Sequence, residues 1–183
     1  MKKLLNLLLA SVATPLLVMA CDGPVDTPVA DASVMGIDAD VVTTGMVSYL
    51  TAGGVREGRV EADTAYAYYD SATVVLKGMR LVFFAADGSE RATVTADGGE
   101  MEENTDRMVA RGNVILIVHS DGRRIETAEL NYDPNRDRIW SDSATVQTLA
   151  SGQVTRGTAF ESDLEFKNFN LRNPRGAITN VVF

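Results

Sequence analysis

Short runs of β-branched and aromatic residues alternate with glycine, aspartate and asparagine from Val41 to the C-terminus. An apolar period of two, interrupted by turn-forming residues, is typical of β-strands. No window places apolar residues at i, i+3, i+4 and i+7, so we expect no helix in this part of the chain. Strands are predicted over residues 45–51, 55–62, 72–77, 79–86, 90–96, 106–111, 113–119, 123–132, 137–141, 144–149, 154–160, 163–171 and 177–182.

Turn signals separate these runs. Asp87-Gly88 and Asp121-Gly122 each lie between two apolar segments and predict two-residue hairpin turns. The acidic stretch 97–106 contains Gly98-Gly99 and Asn104, which favour a long turn over a helix. The chain therefore reads as a succession of antiparallel hairpins.

The turn-forming residues also repeat along the chain. Similar triplets follow one another at offsets of 34, 32 and 30 residues, namely Glu61-Ala62-Asp63, Thr95-Ala96-Asp97, Thr127-Ala128-Glu129 and Gly157-Thr158-Ala159. Gly78 and Gly112 share the first offset. Stacked repeat units bury one face of each unit against the next. The pattern predicts an all-β fold, an elongated antiparallel β-jelly-roll or open β-clam built from hairpin repeats.

Two of the predicted strands, residues 79–85 and 114–118, carry apolar residues on both faces. Such strands are typical of the covered centre of a sandwich, and a second interpretation is that one face lines a lipid groove. Strand parity selects the residues that would point into this groove, each of which also suits an ordinary core position. They are Val82, Phe84, Val114, Leu116, Val118, Leu130 and Tyr132.

The N-terminus has a different pattern. A basic start, Met1 to Lys3, precedes the apolar stretch Leu4 to Val18, which is interrupted by polar residues and Pro15. This stretch is shorter than the roughly 20 residues that span a bilayer, and it fits a secretory signal peptide. It ends in Val18-Met19-Ala20-Cys21, which resembles a bacterial lipobox. We expect cleavage before Cys21 and acylation of that cysteine; the alternative is an ordinary signal peptide with a cysteine nearby by chance.

The chain is thus divided into three parts: a lipoprotein signal peptide at 1–20, the lipidated Cys21 with a flexible acidic tether at 21–40, and a periplasmic β-jelly-roll domain at 41–183. Residues 22–33 contain two prolines and three aspartates. Fully extended, they reach at most about 40 Å. Asp22 resembles the signal that keeps enterobacterial lipoproteins on the inner membrane, so we expect the domain on the periplasmic side of that membrane.

Composition excludes several classes of function. The 183 residues suit one domain, and a net charge of −8, or −10 after loss of Lys2 and Lys3 with the signal peptide, argues against nucleic-acid binding. One cysteine and one histidine exclude a disulfide framework and a cage for a soft metal. The stretch 133–144 imitates a calcium loop but has Arg138 in place of glycine and Ala144 in place of the bidentate glutamate. We expect no catalytic residue, no metal, no cofactor and no enzymatic activity.

The most specific sequence features lie in the second half of the domain. They are Ala110 to Leu116, the run from Asp121-Gly122 to Tyr132-Asp133, Ile139 to Asp142, and Gly157 to Glu161. With the anchor and the acidic tether, these features resemble the LptC family of periplasmic lipopolysaccharide-export proteins. Similar motifs occur in the related bridge component LptA and in outer-membrane portal domains. Many LptC members have an uncleaved transmembrane helix, where this chain has a lipobox.

The resemblance implies a lipid-transfer role in outer-membrane biogenesis. Such a jelly-roll accepts lipopolysaccharide from an inner-membrane ABC transporter and passes it to a β-jelly-roll bridge protein toward the outer membrane. We expect an open apolar trough between two β layers that holds the acyl chains and leaves the head group in water. The alternative is a non-catalytic structural or interaction lipoprotein of the envelope, with β repeats that only stack on partners.

The C-terminal segment ends in a β-forming run, which is either a core strand or an exposed edge that accepts a strand from another chain. The resemblance implies that this edge docks the bridge protein and, by analogy, that residues 41–50 face the transporter. The expected docking residues are Ile178, Thr179, Asn180, Val181 and Val182.

Overall fold

The structure is a computed structural model that describes residues 38–178. These residues form twelve β-strands and one 3₁₀ turn at Pro134–Arg136, and the described range has no α-helix, as expected. No helix within it is long and apolar enough to cross a membrane. The predicted signal peptide, Cys21, the tether up to residue 37 and the docking residues 179–182 lie outside the described residues.

The strands are β1 Val41–Ala52, β2 Val55–Tyr68, β3 Thr73–Phe84, β4 Glu90–Glu102, β5 Arg107–Val118, β6 Arg123–Asp133, β7 Arg138–Ser141, β8 Thr145–Thr148, β9 Val154–Gly157, β10 Ala159–Ser162, β11 Asn170–Arg172 and β12 Arg175–Ile178.

Consecutive strands pair antiparallel from β1 to β6, and the pairing then divides. Residues 131–133 of β6 pair with β7, while residues 124–127 pair with β8. From β7 the sheet continues to β10 and β11, and from β8 it continues to β9 and β12. We call the half that contains β8, β9 and β12 half-sheet A, and the half that contains β7, β10 and β11 half-sheet B. The all-β fold of antiparallel hairpins predicted from the sequence is confirmed.

Each of the long strands passes from one half-sheet to the other at a corner. Gly78 of β3 and Gly112 of β5 lie at these corners with φ of +61° and +78°, a region that glycine enters without steric cost. At the second corner, a Cβ added to Gly112 would lie 2.6 Å from Oδ2 of Asp97. Asp63 contacts Gly78 in the same way. The 34-residue sequence repeat is therefore the repeat of these corners.

The two half-sheets pack face to face around a single core. Phe83 of β3 lies in half-sheet A and Tyr132 of β6 lies in half-sheet B, and their ring centroids are 5.4 Å apart although β4 and β5 separate the two strands in the sheet. Both residues belong to one cluster of buried apolar side chains. The two half-sheets are therefore two layers that share one core, which is the arrangement of a β-clam.

Several predicted elements differ from the structure. The segments 72–77 and 79–86 are one continuous strand bent at its corner, and so are 106–111 and 113–119. The turn predicted at 97–106 is wrong up to Glu102, because β4 continues through Gly98, where an added Cβ would lie 2.6 Å from the carbonyl oxygen of Leu76. Glycine is needed there for close approach of two strands rather than for a turn.

Two further expectations about connections are wrong. The two Asp-Gly pairs do end hairpins, but the connections span residues 85–89 and 119–122 and are longer than two residues. The strand predicted at 163–171 is reduced to Asn170–Arg172. Residues 163–167 instead form a turn, in which Oδ1 of Asp163 accepts the backbone N–H of Lys167 at 2.8 Å.

Candidate functional site

The interior between half-sheets A and B receives five of the seven residues selected by parity. Each of them is at most 5% exposed and belongs to the core cluster. They are Val114, Leu116 and Val118 from the part of β5 in half-sheet A, and Leu130 and Tyr132 from the part of β6 in half-sheet B. The five residues therefore line the same apolar interior from two opposite sides.

Val82 and Phe84 do not share this interior. Their neighbour Phe83 is in the core cluster, and alternation along β3 places Val82 and Phe84 on the other face of the strand. The guanidinium of Arg59 lies 5.8 Å from the centre of the Phe84 ring on that side. The assignment of these two residues to the inner face is wrong because the corner at Gly78 shifts the inward-facing positions of β3 by one residue.

The shift at the corner is visible in the burial of β3. Val74 and Leu76 are buried before the corner, and Leu81 and Phe83 are buried after it, so even positions give way to odd ones. A bulge of this kind reverses a face without any signal in the apolar pattern itself. Parity reasoning missed further interior residues that pack in the same cluster: Val60, Leu76, Leu81, Phe83, Val94, Ile125, Ile139 and Phe160.

The interior is filled by the protein's own side chains in this conformation. Leu81, Leu116, Ile125, Leu130 and Ile139 are each at most 1% exposed. The open trough that we expected between the layers is thus closed. An acyl chain that enters this interior must displace side chains. The point of entry depends on how the two half-sheets meet at the borders of the interior.

One border is the row of corners, where the strands run continuously from one half-sheet to the other. The opposite border is the mouth, where strand ends of the two half-sheets meet. Phe83 is one residue from the end of β3, and Tyr132 is one residue from the end of β6, so their contact lies at this mouth. We call residues 163–169, which connect β10 to β11, the strap.

The strap covers the mouth and inserts aromatic rings into it. Phe166 is only 5% exposed, and its ring lies 5.7 Å from the ring of Phe83 in an edge-on geometry. Phe169 stacks on Phe160 at 5.5 Å and has the guanidinium of Arg123 4.7 Å from its ring centre. The strap therefore begins and ends in half-sheet B and contacts half-sheet A.

Polar contacts hold the strap in place. Glu165 forms an ion pair with Arg91 of β4, and the backbone N–H of Leu164 donates to Oδ1 of Asp137 at 3.1 Å. Burial disfavours the charged form of Asp163, but the N–H donors of Lys167 and Asn168 outweigh that effect and hold the pKa of Asp163 below its usual value. The turn of the strap is thus built around an ionised carboxylate.

Charged groups otherwise lie outside the apolar interior. Ion pairs such as Arg111 with Glu129 at 3.1 Å and Arg138 with Glu161 at 2.9 Å run along the outer surface. His119 shares a hydrogen bond of 2.9 Å with the hydroxyl of Thr93. Within residues 38–178, no cluster of three or more His, Cys, Asp or Glu side chains could hold a metal ion. The arrangement shelters apolar groups and keeps most charges at the surface; the buried Asp133 pairs with Arg107 at 3.1 Å.

Comparison with known families identifies the group to which this architecture belongs. Residues 17–178 match the family described as lipopolysaccharide-assembly, LptC-related. The chain belongs to the LptC family. This LptC-family chain is a periplasmic component of lipopolysaccharide transport, and the resemblance noted from its motifs is confirmed.

A solved structure is also similar to this LptC-family chain. It is the crystal structure of LptH from Pseudomonas aeruginosa, the LptA homologous periplasmic component of the lipopolysaccharide transport device of that organism. The two chains are 14% identical with a TM-score of 0.49, over 68% of this chain and 85% of LptH. No curated protein matches the sequence.

Proposed function

We propose that the protein binds lipopolysaccharide by its acyl chains between half-sheets A and B. It receives the lipid from an inner-membrane ABC transporter and passes it to a β-jelly-roll bridge protein toward the outer membrane. The observation that carries this proposal is the apolar interior that two half-sheets enclose, in a chain of the LptC family. No covalent step is involved, so the proposal needs no catalytic group and no cofactor.

The energetics of burial support binding by the acyl chains. Each buried CH₂ group contributes about 0.8 kcal/mol, so a few chain segments inside the interior give useful affinity. Moving the charged head group out of water would be costly, and it remains at the surface. Because core side chains must first move aside, part of the burial energy is offset. The resulting intermediate affinity suits a carrier that must also release its lipid.

Photo-crosslinking tests this binding mode. We expect a small diazirine-bearing residue at position 116 to crosslink to bound lipopolysaccharide, because Leu116 of β5 is fully buried in the interior. The matched control is position 117 on the same strand, since alternation points Ile117 away from the core. Circular dichroism checks that both proteins fold. Silence at position 116 would favour the alternative, an interaction lipoprotein with a permanently dry core.

The anchor is proposed from the lipobox. Acylated Cys21 holds the domain on its membrane, and Asp22 keeps the protein at the inner membrane. Because the acidic tether lies between this anchor and the domain, its length sets how far the domain reaches. Mass spectrometry of the mature protein tests this assignment. We expect the mass of a diacyl or triacyl group on Cys21 and an uncleaved precursor in the Cys21→Ser variant. Normal cleavage with no acyl mass on the wild type would remove the lipid anchor.

The bridge protein is proposed to dock at the C-terminal edge, at Ile178 to Val182. In support, the backbone of β12 reaches Ile178, which pairs with Val154 of β9 at one end of half-sheet A. A strand at the end of a sheet carries main-chain donors and acceptors that a second chain can pair with. This position would align half-sheet A with that of the next jelly-roll and give the acyl chains a continuous apolar path.

A further inference from the structure

We infer that the strap is a lid that binds in the place of the lipid: its adjacent residues Glu165 and Phe166 occupy a subsite that a phosphate and an acyl chain of lipopolysaccharide take when the lid opens. In this subsite Arg91 contacts the anionic group and Phe83 contacts the apolar group. The inference rests on the proposed function and adds to it the point of entry and two residues that recognise the lipid.

The first argument is the position of the strap. β10 and β11, which flank it, pair with each other in half-sheet B, yet Glu165 reaches Arg91 at the start of β4 in half-sheet A. Phe169 likewise lies against Arg123 at the start of β6. The strap thus bridges the two layers at the mouth, on the border opposite the continuous corners. A lipid chain that enters at the mouth meets the strap first.

The second argument is the chemistry of the two residues that the strap inserts. Phe166 supplies an apolar group, in contact with Phe83, which also touches Tyr132 of the opposite half-sheet. Glu165 supplies an anionic group one residue away, paired with Arg91. An anion joined to an apolar group is the chemical character of a lipid A unit, in which phosphates lie beside acyl chains. The strap therefore occupies one anionic and one apolar contact, at Arg91 and Phe83, that such an amphiphile could also fill.

The third argument is the environment of Arg91. Its side chain is 17% exposed, Nη2 donates to the carbonyl oxygen of Phe84 at 2.9 Å, and Nε is buried with no hydrogen-bond partner in the described structure. A largely buried guanidinium is costly to leave without an anion, so Arg91 suits a second anion when Glu165 leaves. A surface recess of about 420 Å³ adjoins the pair and has room for a phosphate group. Arg91, His119 and Lys167 line it together with Glu90, whose carboxylate is paired with Arg59 and Arg80.

The fourth argument is the backbone of the strap. Phe166 has φ of +57°, and a bulky L-residue in this region costs roughly 1–2 kcal/mol. Glycine would adopt this conformation without that cost, so the turn does not depend on the phenylalanine ring. The internal bonds of the strap, from the N–H groups of Phe166 and Lys167 to Asp163, lie within residues 163–167. The strap can therefore swing out with its own turn intact.

Two substitutions that break the same ion pair distinguish this subsite from a merely structural contact. In Glu165→Gln the lid loses its anion while Arg91 stays available, and we expect about two- to fivefold tighter binding of fluorescently labelled lipopolysaccharide, the range that one ion pair contributes. In Arg91→Gln the lid is loosened equally but the contact for the phosphate is lost, so binding should weaken. Glu161→Gln is the control for loss of a carboxylate, because Glu161 lies on β10 outside the strap and pairs with Arg138.

A third variant tests the apolar half of the subsite. Phe166→Gly removes the ring and suits the positive φ, so the turn is retained, and we expect about tenfold tighter binding, as for a lid moved from mostly closed to mostly open. Ala72→Gly, at another positive φ, controls for the backbone change.

Hydrogen exchange gives a second readout: bound lipopolysaccharide should speed exchange at the strap amides in the wild type.

The outcomes separate the lid from the proposed function. If Glu165→Gln and Arg91→Gln change affinity in the same direction and by the same factor, the pair is structural and the subsite is refuted, while binding between the half-sheets stands. If the strap amides become protected on lipid addition, the lid does not open and the inference falls. If the wild type and every variant fail to bind lipopolysaccharide, the proposed function fails together with the lid.

Discussion

The corner glycines are single residues on which the bend of a whole strand depends. In Gly112→Ala the new Cβ would sit in the left-handed region and 2.6 Å from Oδ2 of Asp97, which Asn113 holds with a hydrogen bond of 2.8 Å. We expect the free energy of unfolding to fall by about 3 kcal/mol, the sum of backbone strain and overpacking. Urea denaturation measures this loss.

The matched control for Gly112 is Gly88, which has φ of +84° but open space around its Cβ position. Gly88→Ala should cost only the backbone term, about 1 kcal/mol. The additional loss in Gly112→Ala should shrink when Asp97→Ala is added, because the clash is relieved. Equal losses for the two single variants would show that the corner contact is not tight.

Tyr132 gives the interior a pH dependence. Burial raises the pKa of Tyr132 well above its usual value, so the folded protein keeps a phenol proton that the unfolded chain starts to release near pH 10. The free energy of unfolding therefore decreases as the pH rises above about 10. Tyr132→Phe should remove this decrease, and Tyr69→Phe, whose ring is exposed, should keep it. Urea unfolding at about pH 8 and about pH 10.5 compares them; an unchanged slope in Tyr132→Phe would contradict the burial argument.

At the scale of the element, the strap depends on one carboxylate. Asp163→Ala removes the acceptor for the N–H groups of Lys167 and Asn168, so we expect faster hydrogen exchange at residues 164–168 and little change in global stability. Asp40→Ala is the control, because Asp40 accepts the backbone N–H of Tyr69 just after the end of β2 and has no bond to the strap. It should leave exchange in the strap unchanged; if Asp163→Ala does so too, the turn does not depend on this carboxylate.

The C-terminal edge is the second element with a testable role. Deletion of residues 179–183 keeps the backbone pairing of Ile178 with Val154, so β12 should remain in half-sheet A. We expect the truncated protein to keep its melting temperature and to lose binding to the bridge protein in a pull-down. Scrambling the sequence of the same residues controls for length. Full binding by the truncated chain would move the docking site elsewhere.

The elements also differ in how far sequence alone determines them. The hairpins from β1 to β6 followed from alternation and turn residues, because both are local properties. The inward face of β3 did not, since it reverses at Gly78 through a contact with Asp63 of a neighbouring strand. The sequence predicts a strand over residues 163–171, in which Leu164 and Phe166 alternate with charged residues. Their real conformation depends on Asp163 and on Arg91, which is distant in sequence.

At the scale of the whole molecule, the two half-sheets share one core and should unfold together. Phe83 of half-sheet A touches Tyr132 of half-sheet B, so Phe83→Ala leaves a cavity between the layers and should cost about 3–5 kcal/mol. The single tryptophan, Trp140, lies on β7 in half-sheet B and reports on the opposite layer. We expect its fluorescence and the far-ultraviolet circular dichroism to shift to the same lower midpoint of denaturation.

Phe84→Ala controls for this effect, because Phe84 is half-buried on the other face of β3 and its loss should cost about 1 kcal/mol. If Trp140 kept its wild-type midpoint in Phe83→Ala while the circular dichroism shifted, the half-sheets would unfold separately. The functional consequence follows from cooperativity. When the layers cannot come apart independently, the proposed entry of lipid requires displacement of side chains at the mouth, and the proposed lid requires the strap rather than the sheets to move.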